Sequence, residues 1–341
     1  MEKRRITGNL FKVLLPLLLG SAILYWMYRD FDFKGMSHVL LHDMNWTWML
    51  LSFPFGILAQ TFRARRWRQV LEPLNERPRL FTCFHSIFIS YASSLVIPRV
   101  GEFARCGVLK RYEGVSFSKA LGTVVTERAF DSLLVLFFAG ITILFQLSTF
   151  GTFFEKTGTS ISGILSGFSL TGYFVTAVCA AAILLLVHWL FKSLSIYNKV
   201  KTTFSGIWQG VISMKNVKNV PLFIFYSLAI WACYFLHYYL TFFCFDFTAD
   251  LGIGCAVVTF IVGTIAVIVP TPNGAGPWHF AVKTMLILYG VAEPQALYFV
   301  LIVHTVQTLL VVALGVFSVS ALFFTKREDL EERGERREER D

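Results

Sequence analysis

Three ionisable residues stand at the start of a long apolar run in this chain. Glu127, Arg128 and Asp131 directly precede the run Leu133–Phe138. On a helix, Glu127 and Asp131 share a face at i,i+4, and Arg128 reaches Asp131 at i,i+3. Charges in a membrane helix are costly and usually face a protein interior or a cavity. Two interpretations stay open: a cavity-lining cluster that handles a charged headgroup, or an ordinary ion pair at a helix end.

A second charged group follows Pro98. Arg99, Glu102 and Arg105 recur at the helical spacing i,i+3. Guanidinium groups bind phosphate oxygens in bidentate fashion, so this spacing predicts a binding site for a lipid phosphate. The alternative is a structural network in which Glu102 bridges the two arginines.

A third candidate site lies in a glycine-rich turn of the last third. Its members are Asn273, Gly274, Gly276, His279 and Lys283. Such a turn before a short helix offers free backbone N–H groups and a positive dipole end to an anion. Lys283, one turn after His279, adds a cation to the same face. A plain turn between two short helices is the alternative.

Motifs for metal, nucleotide or covalent chemistry are missing from the sequence. The six cysteines are scattered, mostly in apolar segments, without metal-ligand spacing or a disulfide framework, which favours buried thiols. Zinc-type histidine pairs, a nucleophile elbow and a P-loop are also missing. We therefore predict no catalytic residue, no metal and no cofactor.

The composition is that of a membrane protein. The chain has 341 residues, of which 55% are hydrophobic and only 16% are charged, against about 25% charged residues in soluble domains. These values, with recurrent runs of membrane-spanning length, predict an all-α polytopic membrane protein of about seven to eight membrane helices. The predicted segments are Leu10–Tyr28, Asn45–Phe62, Ala120–Leu147, Leu170–Phe191, Val220–Phe243, Gly252–Pro270 and Ala296–Phe324, with the runs Phe81–Ile97 and Trp278–Tyr289 too short for plain spans.

The net charge of +9 is arranged around the apolar runs. Cations beside apolar runs indicate lipid headgroups and cytoplasmic loops rather than nucleic acid. The basic start Met1–Arg5 and the cations after the last run predict cytoplasmic termini, and Arg63–Arg79 is interpreted as a cytoplasmic loop. Residues 1–325 are expected to form a single transmembrane domain. Residues 326–341 form a charged cytoplasmic tail, either a solvated helix or a disordered end.

Two regions conflict with simple crossings. If Phe81–Ile97 crossed the membrane, the cations that follow it would lie outside, against the charge rule. We expect this run to enter from the cytoplasm and return, and Gly252–Gly290 to form a re-entrant pair from outside. Irregular backbone at membrane depth requires protein or a water-filled cavity around it. The sequence therefore predicts a polar cavity.

The same two regions resemble each other. Around a proline and a glycine-containing turn, SLVIP and GVSFSKALGTVV parallel AVIVP and GVAEPQALYFVL. The matched positions are Pro98 with Pro270, Gly114-Val115 with Gly290-Val291, and Ala120-Leu121 with Ala296-Leu297. We predict repeat-like elements at about 81–147 and 252–324 in opposite orientations. Inverted repeats with interrupted helices are typical of transporters.

The segments PRVGEFARCGVLKRYEGVSFSKALGTVVTERAFD and VPTPNGAGPWHF resemble a known family. It is the flippase-like membrane region of bacterial lysylphosphatidylglycerol synthases, with stand-alone relatives that include archaeal proteins of lipid-linked sugar pathways. The resemblance covers nearly the whole chain. In the second motif, Asn273 replaces a glycine of the family and His279 replaces its acid. The positions that match the first motif are Pro98, Gly101, Glu102, Arg105, Gly114, Val115, Ser116, Glu127, Arg128 and Asp131.

The resemblance implies translocation of an anionic or aminoacylated phospholipid, or a lipid-linked intermediate, between leaflets of the bacterial inner membrane. Because the chain ends in a short charged tail, we expect no aminoacyltransferase domain and a transporter rather than an enzyme. A membrane-embedded transferase with a lipid-phosphate donor, using Asp30 and Asp32, and a non-transporting envelope scaffold are the alternatives. The expected partner is a membrane phospholipid or lipid-linked substrate, with a second copy or a separate lipid-modifying enzyme as further candidates.

Overall fold

The computed structural model describes residues 32–145, 217–269 and 271–338, with a few residues between 21 and 29, and side chains up to residue 325. Within these ranges every regular element is a helix, which confirms the all-α prediction. The predicted segment Leu170–Phe191 and most of Leu10–Tyr28 lie outside the described residues.

Five α-helices lie between residues 32 and 145. Asp32 caps the first by accepting hydrogen bonds from the backbone N–H groups of Lys34 and Gly35, and Asn45 caps the second by accepting from Thr47. The helices are α1 (Phe33–His38, followed by a π-turn at Val39–Asp43), α2 (Trp46–Leu71), α3 (Leu80–Val96), α4 (Gly101–Glu113) and α5 (Phe117–Phe145).

Five more helices follow residue 216. They are α6 (Val220–Tyr239, extended by a 3₁₀ turn at Leu240–Cys244), α7 (Asp246–Ala249), α8 (Gly252–Ala266), α9 (Pro277–Leu288) and α10 (Glu293–Glu338). A 3₁₀ turn at Pro272–Gly274 lies between α8 and α9. The backbone of α10 stays helical through Glu338, so the described part of the charged tail is helix.

Three of the described helices are long and apolar enough to cross a membrane. They cover Phe117–Phe145, Val220–Cys244 and Glu293–Thr325. Helices α3 and α8 are also apolar but have only 17 and 15 residues, fewer than the roughly 20 that a span requires. The chain is therefore a multi-pass membrane protein, and its two short apolar helices lie where the sequence predicts irregular elements.

Helix α2 corrects one prediction. The segment expected to end at Phe62 continues as helix to Leu71, so Arg63 does not begin a loop. Arg63 and Arg66 are 2% and 0% exposed. The positive-inside rule uses only the number of cations in a segment, not the face of the helix that carries them. Here Arg63 and Arg66 face other helices.

The first broken-helix region comprises α3, α4 and α5 (Leu80–Phe145). The chain reverses after Val96 through a turn in which Arg99 has a positive φ of 64°, and α4 folds back against α3. Gly101 meets the backbone oxygen of Ser90, where a Cβ atom would clash. Gly114, with φ of 73°, then ends α4 in the left-handed conformation that favours glycine.

The second broken-helix region comprises α8, α9 and α10 up to Thr325 (Gly252–Thr325). Its turn contains positive φ values at Asn273, Gly274 and Gly276, and α9 folds back against α8. Gly290, with φ of 94°, precedes the long helix. Both regions thus consist of two short helices and one long helix in the same order.

Buried apolar side chains of the described residues form two large clusters, one centred in each half of the chain, and a small third one around Val70, Val217 and Phe223. The first lies between α2, α3, α4 and α5 around Trp67 and Ile87. The second lies between α2, α6, α8, α9 and α10 around Phe242 and Phe299. The five described cysteines are buried in free form, as their spacing predicts.

Helix α3 connects the halves because it also packs against α10. His85 Nδ1 lies 2.9 Å from Ser318 Oγ across this contact. The two turns are joined directly as well, since Arg99 Nη2 donates to the carbonyl oxygen of Ile268 at 2.9 Å.

Candidate functional site

A buried ionic cluster lies between α2, α4 and α5. Helix α2 contributes two arginines, α4 contributes one arginine, and α5 contributes two carboxylates. None of the five residues is more than 5% exposed. The members are Arg63, Arg66, Arg105, Glu127 and Asp131.

Glu127 is the centre of the ionic cluster. Its Oε1 lies 2.9 Å from Arg66 Nη2 and 3.7 Å from Arg63 Nη1. Its Oε2 accepts a hydrogen bond from Arg105 Nη1 at 3.0 Å. One carboxylate therefore holds guanidinium groups from two different helices.

Asp131 completes the ionic cluster one turn further along α5. Its Oδ1 lies 2.8 Å from Arg66 Nη1, and its Oδ2 lies 3.1 Å from Arg63 Nη1. Both contacts are ion pairs whose angles fall short of hydrogen-bond geometry. The predicted common face of Glu127 and Asp131 is confirmed, because the same two arginines reach both carboxylates.

Aromatic side chains hold the arginines in place. The guanidinium of Arg105 lies 4.6 Å from the ring centre of Trp67, a cation–π geometry. Trp67 Nε1 in turn donates to Thr123 Oγ1 at 2.9 Å. Arg66 Nη1 donates to Ser227 Oγ on α6 at 3.0 Å. Each guanidinium plane is thus oriented from more than one side.

A pair of tyrosines borders the ionic cluster on the side of α3 and α6. The hydroxyl groups of Tyr91 and Tyr234 lie 3.0 Å apart, and Gln60 donates to Tyr234 at 3.0 Å. The guanidinium of Arg63 lies 5.8 Å from the ring centre of Tyr234. The polar region therefore extends from the ionic cluster toward both helices.

The ionic cluster carries an excess of one positive charge. Three guanidinium groups face two carboxylates. Within the described residues, Arg105 Nε and Nη2, and the Nε atoms of Arg63 and Arg66, are buried without a hydrogen-bond partner. Buried charges and donors left unsatisfied are costly. The arrangement therefore has the charge and the donors for one further anionic group.

Arg128 does not join this cluster. Its Nε donates to Glu102 Oε1 at 2.7 Å, and both side chains remain about a third exposed. The predicted pair between Arg128 and Asp131 is therefore wrong. Successive helical residues point about 100° apart, so Arg128 reaches α4 while Glu127 and Asp131 reach α2.

The predicted face of Arg99, Glu102 and Arg105 does not form. Arg99 precedes α4 with a positive φ, outside the helix, and its side chain is exposed. Arg105 pairs with Glu127, and Glu102 pairs with Arg128. The two arginines therefore form no shared phosphate-binding site, and Glu102 does not bridge them. The reason is that α4 begins two residues after Arg99.

The glycine-rich turn is held by side chains of its own region. The N–H of Gly276 donates to His279 Nδ1 at 3.3 Å, so this N–H is not free for an anion. Asn273 Nδ2 donates to Thr308 Oγ1 at 2.8 Å. Gly274 is buried. The expected open anion site is therefore closed at Gly276 by the following helix.

Lys283 also differs from the prediction. Its Nζ pairs with Glu293 Oε1 at 2.9 Å, while His279 packs on His304 with ring centres 4.4 Å apart. His279 and His304 lie on different helices, so no local spacing in the sequence indicates this contact. The i,i+3 spacing of Arg63 and Arg66 directly after an apolar run is the signal that would have found those two residues.

The fold and the site define a class: a multi-pass helical membrane protein with a buried ionic cluster among its apolar helices. Residues 13–315 match the family described as the lysylphosphatidylglycerol synthase TM region. The chain belongs to this family, which confirms the resemblance.

Two curated relatives are similar to the chain. A UPF0104 membrane protein of Methanocaldococcus jannaschii is 25% identical over 293 residues, covering 81% of this chain and 83% of the relative. The glycosyltransferase AglD of Haloferax volcanii is 28% identical over 96 residues, covering 28% of this chain and 15% of the relative. No solved structure matches the chain at a significant level.

Proposed function

We propose that the protein is a flippase-like lipid translocase. It moves an anionic or aminoacylated phospholipid, or a lipid-linked intermediate, between the leaflets of a bacterial inner membrane with both termini in the cytoplasm. The observation that carries this proposal is the ionic cluster with its excess positive charge beside a membrane-length helix. The chain belongs to a family described as the membrane region of lysylphosphatidylglycerol synthase, and this membership supports a lipid-related role.

The two broken-helix regions are proposed to form an inverted repeat. Gly114 and Gly290 both have positive φ and both precede the long helix of their region. Ala120 and Ala296, each six residues further on, are both fully buried. This correspondence supports a common ancestral unit, and interrupted helices in inverted repeats are typical of transporters.

The arginines are proposed to receive the phosphate of the lipid. Arg105 has two unpartnered donors, Nε and Nη2, and guanidinium edges bind phosphate oxygens in bidentate fashion. Glu127 and Asp131 hold the three arginines in place and limit the excess charge to one. A single phosphate charge then neutralises the ionic cluster, while the acyl chains stay in the lipid.

The test is a flux assay with the purified protein in proteoliposomes that contain phospholipids with fluorescently labelled headgroups. Arg105→Gln should slow headgroup-dependent movement by about tenfold or more, the effect expected from removing a charged hydrogen-bond partner. Arg128→Gln is the matched control, because that arginine is partly exposed and outside the ionic cluster. Both variants are first compared with the wild type for monodispersity in detergent.

Equal rates for Arg105→Gln and the wild type, or movement that does not depend on the headgroup, would contradict the translocase. A membrane-embedded transferase is the second candidate, favoured by the partial similarity to a glycosyltransferase. It requires product formation from a lipid-phosphate donor without transbilayer movement. A non-transporting scaffold would give neither transbilayer movement of lipid nor a transferase product.

A further inference from the structure

Neutral polar groups lie beside the ionic cluster, between α2, α3 and α6. The hydroxyl groups of Tyr91 and Tyr234, called here the tyrosine pair, are 3.0 Å apart. Gln60 Nε2 donates to the hydroxyl oxygen of Tyr234 at 3.0 Å. Arg63 follows Gln60 by about one turn of α2, and its guanidinium lies 5.8 Å from the ring centre of Tyr234. The neutral groups therefore adjoin the ionic cluster at Arg63.

Two hydrogen-bonding groups here are unused among the described residues. Gln60 is 8% exposed, and its Oε1 is a buried acceptor without a hydrogen-bond partner. The tyrosine pair has two O–H protons but only one bond between its two oxygens, and Gln60 fills a further acceptor position on Tyr234. One phenolic O–H therefore has no acceptor. Buried polar groups without partners are costly, so one acceptor and one donor are left for a bound group.

The carboxylates of the ionic cluster are already used. Glu127 Oε1 and Oε2 lie 2.9 Å from Arg66 Nη2 and 3.0 Å from Arg105 Nη1. Asp131 Oδ1 and Oδ2 lie 2.8 Å from Arg66 Nη1 and 3.1 Å from Arg63 Nη1. All four oxygens thus face guanidinium groups, and the cluster keeps one excess positive charge. An ammonium group brought here would meet like charge and no free carboxylate, which costs binding energy.

A hydroxyl group fits the unused groups, and an ammonium does not. A hydroxyl both donates and accepts, so it donates to Gln60 Oε1 and accepts from the tyrosine pair. An ammonium has three donors and no acceptor, so it would oppose the phenolic donor. The phosphate of the same lipid meets the unpartnered donors Arg63 Nε and Arg105 Nη2, which suit phosphate oxygens.

We propose that the site selects a lipid phosphodiester with one negative charge and an uncharged hydroxyl in its headgroup. This assignment rests on the proposed function and narrows it, because it excludes aminoacylated lipids and other headgroups with an ammonium. Gln60 and the tyrosine pair determine the specificity, while the arginines bind the phosphate. A glycerol or a sugar joined through one phosphate has this chemistry.

Competition binding to the purified protein in detergent tests the headgroup chemistry without relying on transport. Phosphatidylglycerol labelled in its acyl chain is the probe, and unlabelled lipids with the same chains displace it. Phosphatidylpropanol has the same charge but no hydroxyl, and it should bind about tenfold more weakly because buried polar groups are then left unpaired. Lysylphosphatidylglycerol and phosphatidylethanolamine contain an ammonium and should bind about tenfold more weakly or worse.

Equal binding of phosphatidylglycerol and phosphatidylpropanol would overturn the role of the hydroxyl. Equal or tighter binding of either ammonium lipid would overturn the exclusion of cationic headgroups. Glycerol 3-phosphate and inorganic phosphate serve as soluble competitors, and neither should displace the probe at the concentrations at which phosphatidylglycerol does. Displacement by either at those concentrations would assign a soluble phosphate ligand in place of a lipid.

Gln60→Met tests the residue assignment, because methionine has a similar length but no strong acceptor. The preference for phosphatidylglycerol over phosphatidylpropanol should fall from about tenfold to about twofold or less. Gln69→Met is the matched control on the same helix. The Gln69 amide donates to the carbonyl oxygen of Asn219 at 2.7 Å, outside the tyrosine pair, so this variant should keep the wild-type preference. A wild-type preference in Gln60→Met would refute the role of Gln60.

Gln60→Glu tests the charge argument separately. The carboxylate keeps an acceptor oxygen and cancels the excess positive charge of the ionic cluster. The preference for phosphatidylglycerol over lysylphosphatidylglycerol should therefore fall by about tenfold, and an unchanged preference would contradict the argument. Where a variant is not monodisperse in detergent, the lipid series on the wild type decides the proposal.

Movement of the same lipids in proteoliposomes separates this assignment from the proposed function. Phosphatidylglycerol should cross faster than phosphatidylpropanol or lysylphosphatidylglycerol. Movement that requires an anionic headgroup but is equal for phosphatidylglycerol and phosphatidylpropanol refutes the hydroxyl assignment while the translocase stands. The binding preference without any transbilayer movement refutes the translocase while the headgroup assignment stands.

Discussion

The two broken-helix regions have the same order of helices but hold their polar groups in opposite ways. In the first region, α4 and α5 supply Arg105, Glu127 and Asp131, and their charges are balanced by arginines of α2, outside the region. In the second region, neutral groups of the turn, α9 and α10 bond to one another, as in the contact between His304 and Asn273.

The difference shows that one backbone layout supports two kinds of polar interior. A charged interior depends on partners from three helices, so each carboxylate is needed to keep the buried cations paired. A neutral interior built by hydrogen bonds within one region has no such dependence. Substitutions should therefore have unequal effects in the two regions, and the following three range from the largest expected effect to the smallest.

Glu127→Ala should give the largest loss of stability. It leaves three buried arginines with one carboxylate, and breaking a buried ionic network in this way costs about 3–5 kcal/mol. Thermal unfolding in detergent measures the loss. Glu102→Ala is the matched control, since its partner Arg128 is partly exposed and the expected cost is about 1 kcal/mol or less. Equal losses for the two variants would show that the buried ionic cluster contributes no more to stability than a partly exposed ion pair.

Gly101→Ala tests the tight hairpin of the first region. A Cβ atom there meets the backbone oxygen of Ser90 and the side chain of Ser94, so α4 must shift away from α3 at a cost of about 1–3 kcal/mol. Gly107, on the same helix, has open space around it. Gly107→Ala should stabilise the helix by about 0.5–1 kcal/mol, and unfolding that ranks the two variants in the reverse order would contradict the packing.

Lys283→Ala should give the smallest effect. Its partner Glu293 is 64% exposed at the side chain, whereas Lys283 itself is 13% exposed, and an ion pair with one partner open to solvent contributes about 1 kcal/mol or less. The same unfolding assay checks it, with Glu293→Ala as the reciprocal variant. A loss as large as that of Glu127→Ala would mean that the second region also depends on charge, and the contrast between the regions would disappear.

Much of the fold follows from local sequence signals. Apolar runs predict α5, α6 and the apolar part of α10 (Glu293–Thr325) to within a few residues, because the length of an apolar run reflects the membrane that it crosses. Pro98 predicts the break after α3, and Gly114 and Gly290 mark the starts of the long helices because a positive φ suits glycine. The common face of Glu127 and Asp131 follows from helical periodicity alone.

The partners of these residues did not follow from local signals. Arg66 lies 61 residues from Glu127 in the chain, and the positive-inside rule assigned it to a loop. Arg128 was predicted to pair within its own helix but reaches Glu102 on α4. Spacing along one helix says which residues share a face, and it does not say which other helix that face meets.

The sequence by itself determined the class of protein, the helical breaks and the face that carries two carboxylates, because hydrophobic length, glycine and periodicity act within a few turns of chain. Only the tertiary structure decided that Arg63, Arg66 and Arg105 surround those carboxylates and that His279 meets His304. Such pairings depend on how distant helices pack, since a buried charge accepts whichever partner that packing brings within reach.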